Sequence, residues 1–154
     1  MYIYSIMGYG KGKTESAIGI TIRALANNHK VLFTQFLKDG HSSEVQYLKD
    51  KITIMTSNTE KLVLPKNKTA EDVQQVAEFL TSVEQELIAD EYDLLVLDEI
   101  LVALDMDMVS HNMVTRLLNM CKNMNVDVYM TGRVRSKDTR LWVETVSDSV
   151  TNAY

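Results

Sequence analysis

Apolar residues alternate along the chain between short dense runs and longer stretches with helical spacing. Residues 2–6 and 31–36 (Val-Leu-Phe-Thr-Gln-Phe) are β-branched or aromatic runs bounded by turn signals, and they predict strands. Between them, Thr14–Leu25 carries apolar or small residues at Ala17, Ile18, Ile20, Ile22, Ala24 and Leu25. It meets Asn27-Asn28, which predicts a helix with an Asn stop. Residues 51–56 alternate like a third strand, and Ser57–Lys68, polar apart from Leu62-Val63-Leu64-Pro65, predicts a mobile loop. Thr69-Ala70-Glu71-Asp72 resembles a capping box opening a long helix, whose apolar face runs through Val73, Val76, Ala77, Leu80, Val83, Leu87 and Ile88. Asp93–Asp98 is a short apolar run ending in acid, as expected of a strand buried on both faces. A helix over about 107–124, a strand over 126–131, a loop over 132–140 and a strand-like piece over 142–146 complete the pattern. Strands alternating with helices imply a mostly parallel sheet with helices on both faces.

The chain has 154 residues and a mass of 17.5 kDa, which suits a single domain over 1–154 with a sizeable core. A net charge of −5 argues against nonspecific nucleic-acid binding, which requires a basic surface. No apolar run approaches the roughly 18–20 residues that span a bilayer. The first residues run straight into a glycine loop without a charged leader, so they are expected to be a strand and not a signal peptide. Cys121, the one cysteine, cannot form an internal disulfide, and a reducing cytoplasm is expected. His29, His41 and His111 lack ligand spacing and are expected at the surface or flanking helices, and the methionines are expected to fill core.

The chemistry is concentrated in Gly8-Tyr9-Gly10-Lys11-Gly12-Lys13-Thr14, between the first predicted strand and the first helix. Glycines let a backbone turn with N–H groups pointing inward, and a helix N-terminus adds partial positive charge, so this context cradles phosphate. Lys13 is suited to the outer phosphates and the Thr14 hydroxyl to Mg²⁺. The strict pattern G-x-x-x-x-G-K-[ST] is missed by one position, because residue 7 is Met and the glycine falls at Gly8. A second signal, Leu95-Val96-Leu97-Asp98-Glu99, delivers two carboxylates at a strand's C-terminal end, where acid completes the shell of Mg²⁺ (or Mn²⁺). Thr14, Asp98 and Glu99 are therefore the metal candidates, and Lys13 and Glu99 the catalytic candidates. A third signal, Thr131-Gly132-Arg133, makes Arg133 a candidate for contact with phosphate or substrate, while Arg135, Lys137 and Arg140 suit a solvated basic loop. The expected fold is α/β, of the P-loop NTPase type (RecA-like), binding ATP.

Together these pieces resemble the ATP:corrinoid adenosyltransferases of the CobA, BtuR and CobO type. The similarity rests on Gly8–Thr14, Ile22-Arg23-Ala24, Val31–Lys38, Leu97-Asp98-Glu99-Ile100, Thr131-Gly132-Arg133 and Glu144-Thr145-Val146-Ser147. The shortened glycine loop is that family's own form. The resemblance implies transfer of the 5′-deoxyadenosyl group of ATP to the cobalt of a reduced corrinoid, with release of triphosphate. It also implies that Arg23 helps hold the nucleotide, that Arg133 contacts phosphate or corrinoid, and that the chain works as a homodimer with a flavoprotein reductant. This chain has Tyr9 and Leu101 where relatives usually carry Asn, and no aromatic residue in Ser57–Lys68 where relatives use aromatics against the corrinoid. Leu62-Val63-Leu64-Pro65 is the apolar cluster available for that role.

Two other functions fit part of the pattern. A P-loop nucleoside kinase would share Lys13, Thr14 and Asp98 but transfer phosphate to a hydroxyl. The cysteine zinc module of thymidine kinases is beyond one Cys. A non-catalytic relative that binds ATP or corrinoid would keep the loop and lack turnover.

Overall fold

The computed structural model describes residues 1–59 and 62–153. The order of elements is β1 (Ile3–Met7), α1 (Lys13–Ala26), β2 (Val31–Gln35), α2 (Ser43–Leu48), β3 (Thr53–Thr56), α3 (Ala70–Ala89) and β4 (Leu94–Asp98). Then follow α4 (Ile100–Asp105), α5 (His111–Met124), β5 (Asp127–Gly132), α6 (Lys137–Val146) and β6 (Ser149–Asn152). The strands form one sheet in the order β3-β2-β4-β5-β1-β6, and every pairing is parallel. The expected α/β fold of the P-loop NTPase type is what the chain adopts, with the sheet parallel throughout.

The period of two along the strands divides the core. Val31 and Phe33 of β2 and Leu94 and Val96 of β4 pack on one face with Ala17 and Ala24 of α1. Leu32, Leu95 and Leu97 face the other way, toward α3 and α5 through Val76, Leu80, Val83, Leu87, Val114 and Leu117. β4, all of whose residues are buried, is covered on both sides as its apolar run demands. Small residues on the inner face of α1 (Ala17, Thr21 and Ala24) bring that helix close to the sheet. At its end Asn28 adopts a left-handed φ of 59°, the expected Asn stop. The capping box of α3 forms: Thr69 Oγ1 accepts from Asp72 N, and the Asp72 carboxylate accepts from Thr69 N. On α3 the buried stripe is Val76, Leu80, Val83 and Leu87, whereas Ile88 is exposed.

Several segments depart from the sequence-based expectation, among them the loop expected over 132–140, which is helical from Lys137. The piece over 142–146 is not a strand but the last half of α6, and the closing strand is β6. Trp142-Val143-Glu144-Thr145-Val146 alternates like a strand. Ser136, however, caps the helix by accepting from Thr139 N, and Thr139 and Val143 fall on one buried helical face. The helix expected over 107–124 begins at His111, capped by Ser110, and the separate helix α4 precedes it. α4 is apolar nearly all round, with Ile100, Leu101, Ala103 and Leu104 buried, so it carries no helical periodicity. α2 is six residues long, too short for a pattern. The loop expected over Ser57–Lys68 includes residues 60 and 61, which lie outside the described residues; in its described part Leu64 N–H donates to the Asn67 side chain and closes a turn.

Candidate functional site

β5 lies between β1 and β4, so Thr131-Gly132-Arg133 opens between the glycine loop that follows β1 and the acids that end β4. All three sequence signals therefore share one edge of the sheet, outside the C-terminal ends of its strands, where ligands of open α/β sheets bind. Gly8 has φ +134°, and a Cβ there would lie 1.8 Å from the carbonyl oxygen of Ala153. That close approach is structural: Ala153 N donates to Met7 O at 2.7 Å and Gly10 N to Ala153 O at 3.0 Å, so the segment after β6 braces the loop. Met7 is buried as the last residue of β1, and Gly8 follows it directly. Gly12 caps α1 in a left-handed conformation, and the Lys13 ammonium donates to Gly10 O within the loop.

Asp98 is fully buried and surrounded by donors. Thr131 Oγ1 donates to Oδ1 at 2.6 Å, and Thr14 Oγ1 lies 3.2 Å from Oδ1 and 3.3 Å from Oδ2. Gln35 Nε2 donates to Oδ2 at 3.2 Å and Lys38 Nζ at 2.7 Å. Gln35 is opposite Asp98 in the parallel register of β2 and β4, which fixes that contact. Lys38 Nζ also lies 3.1 Å from Thr14 Oγ1. Gln35 and Lys38 are the residues that the motif reading leaves out of the site. The available signal was their place at, and just beyond, the C-terminal end of a predicted strand.

Glu99 precedes α4 at its N-cap with a left-handed φ of 68°, its N–H donating to Thr131 Oγ1 at 3.0 Å. Burial and then the neighbouring Asp98 carboxylate push its own carboxyl above the usual carboxylate range, against the pull of Lys38, Lys13 and Arg133. Glu99 and Arg133 line a hollow of about 290 Å³ together with residues Tyr9 to Glu15 of the loop. The same two residues line a second cavity of about 410 Å³, whose walls include Leu37, Leu62, Leu64 and Val102. One hollow is polar and glycine-rich, the other largely apolar, and they share this pair. At the rim the Arg135 guanidinium sits 6.0 Å over the Tyr9 ring.

The fold thus gathers Gly8, Tyr9, Gly10, Lys11, Gly12, Lys13, Thr14, Asp98, Glu99 and Arg133 at one edge. Arg23 is not gathered with them: it lies exposed in the last turn of α1, about 15 Å farther along the helix axis than Lys13. His111 contacts Thr139 and stacks on Trp142 between α5 and α6, a packing role.

Among the described residues no cluster of three or more His, Cys, Asp or Glu is suited to a metal ion. A nucleotide-borne Mg²⁺ does not require one, because it uses one or two carboxylates, phosphate oxygens and water. The local chemistry fits such an ion: Thr14 and Asp98 offer oxygen ligands, and the buried Gln35 Oε1 has no hydrogen-bond donor among the described residues, leaving an acceptor for metal-bound water.

No helix among the described residues is long and apolar enough to cross a membrane. Comparison with curated proteins finds no match. The family model CobA_CobO_BtuR, described as ATP:corrinoid adenosyltransferase BtuR/CobO/CobP, matches residues 1–152. With a glycine loop, a buried acid and an adjoining apolar cavity on one sheet edge, and a match over nearly its whole length, this chain belongs to the ATP:corrinoid adenosyltransferase family, a family of transferases.

Proposed function

We propose that the chain, as one nucleotide-binding domain, transfers the 5′-deoxyadenosyl group of ATP to the cobalt of cob(I)alamin or a related reduced corrinoid, releasing triphosphate. The observation that carries this reading is that Glu99 and Arg133 line both the phosphate-loop hollow and the apolar cavity. A nucleotide in the first and a large, mostly apolar ring system against the second would meet at that pair. Cob(I)alamin is itself a strong nucleophile toward the ribose C5′ carbon, so no general base is required. The demand falls on the leaving triphosphate, which the loop N–H groups, Lys13 and Lys11 would hold as charge develops on it. Mg²⁺ (or Mn²⁺) bound by Thr14 and Asp98 would supply further neutralisation of that charge. Glu99 shares this junction with Lys13 and Arg133, whose charges oppose the upward push of burial on its carboxyl.

Leu62 and Leu64 of the cavity wall act in this reading as an apolar wedge on the corrinoid. Replacing both with Ser is expected to slow turnover of Co(II) substrate; unchanged turnover would remove the wedge from the proposal. The chain is further proposed to work in the cytoplasm as a homodimer, with a flavoprotein reductant keeping cobalt reduced.

The test is direct. Protein, Mg·ATP and chemically reduced cob(I)alamin are mixed and followed for the adenosylcobalamin spectrum and for triphosphate. ADP as product would favour the kinase reading, and bound ATP with no spectral change would favour a non-catalytic relative.

A further inference from the structure

Lys38 bridges Asp98 and Thr14 at the heart of the site. Its ammonium is 2.7 Å from Asp98 Oδ2 and 3.1 Å from Thr14 Oγ1, two of the three side chains, with Glu99, that the motif reading assigns to the metal. A carboxylate offers about four acceptor sites, and the donors around Asp98 are Thr131, Thr14, Gln35 and Lys38. Of these, Gln35 and Thr131 are fully buried within the sheet. Lys38 keeps 30% of its side chain exposed and is the one charged donor, so it is the group able to move away. The backbone holds it there: Phe36 N–H donates to Asp98 O at 2.9 Å, and Leu37 takes a left-handed φ of 59°, turning the chain back over the end of β4. A bulky residue in that conformation costs free energy, so the packing around it overdetermines the turn.

The geometry points to Lys38 as a resident cation that keeps the metal position closed until a metal–nucleotide complex arrives. It balances the buried Asp98 charge, which could not stay unpaired at that depth. A bare divalent ion must displace the ammonium without phosphate oxygens to complete its shell. A nucleotide-borne ion arrives with phosphate oxygens already attached and with negative charge that accepts the displaced ammonium. The site would thereby take metal and nucleotide together and refuse metal alone.

The inference rests on the proposed role of Thr14 and Asp98 at the metal, and free Mn²⁺ binding, followed by loss of the aqueous Mn²⁺ electron-spin signal without nucleotide, tests it separately from turnover. Wild-type protein is expected to bind Mn²⁺ weakly. Lys38→Met or Lys38→Gln, whichever folds with a wild-type melting curve, is expected to bind it at least about tenfold more tightly, a change of ~1.4 kcal/mol. Lys38→Arg should restore exclusion, and adding Asp98→Asn to the Met or Gln variant should abolish the gain. Equal Mn²⁺ affinity of wild type and both neutral variants would overturn the placeholder role. If Asp98→Asn leaves Mn²⁺·ATP binding unaltered in the wild-type background, the metal reading itself fails; if it weakens that binding while the Lys38 variants remain blind to free metal, only the placeholder fails.

Discussion

A single hydroxyl joins the two acids of the site: Thr131 Oγ1 donates to Asp98 Oδ1 at 2.6 Å and accepts the Glu99 N–H at 3.0 Å. Replacing it with the near-isosteric Val would leave both groups short of a partner at a buried position. Thr131→Val is expected to lower stability by about 1–3 kcal/mol and to weaken Mg·ATP binding, whereas Thr131→Ser, which keeps the hydroxyl, should retain most of both. Thermal melts and titration calorimetry check the pair.

Gly132 allows α4 to approach the end of β5. With φ +150°, an added Cβ would lie 2.7 Å from Val102 N and 2.9 Å from Leu101 Cβ, so Gly132→Ala must push away α4, the helix that follows Glu99. A loss of more than about 2 kcal/mol is expected. Gly19, in the middle of α1 with nothing within 4 Å of a built Cβ, is the contrast. Gly19→Ala should stabilise by about 0.5–1 kcal/mol. Denaturant midpoints of the two variants should therefore move in opposite directions.

Lys13 and Arg23 are separated by most of the length of α1, and their substitutions should behave differently. Lys13→Ala is expected to weaken nucleotide binding by at least about tenfold, ~1.4 kcal/mol. Arg23→Ala should leave it unchanged if the nucleotide is held within one chain. A matching loss in Arg23→Ala, measured by calorimetry, would assign Arg23 a role that this geometry does not supply.

Burial pushes the Cys121 thiol up to about 12, and burial followed by the Glu86 hydrogen bond raises the Tyr92 phenol to about 12. In the unfolded chain these groups ionise near 9 and 10, so above those values the unfolded state binds fewer protons than the folded one. Stability is thus fully present below about pH 9 and falls as pH rises toward 12. Melting temperature between pH 8 and 11 should drop, less steeply in Cys121→Ala and in Tyr92→Phe. Thiol reagents at neutral pH should label Cys121 only after unfolding.

Much of the architecture was legible because its signals are local. The dense run ending at Asp98, the Thr69–Asp72 capping box and the Asn27-Asn28 stop each depend on residues within one or two turns. The phosphate loop was legible for the same reason: glycines and a helix start set its shape. Segments 100–105 and 142–146 were not, because a helix buried all round loses its period and a β-branched run alternates in either conformation.

The sequence by itself determined the α/β alternation, the glycine loop, the acid at the end of a buried strand and the family to which these motifs point. Tertiary structure alone decided that β5 inserts between β1 and β4, which brings Thr131 to Asp98 and Arg133 to the loop. It also decided that Gln35 and Lys38 converge on the same carboxylate and that Arg23 stays apart. The physical reason is that strand order and register follow from which faces pack against which helices. That is a property of the whole core, carried by no short stretch of residues.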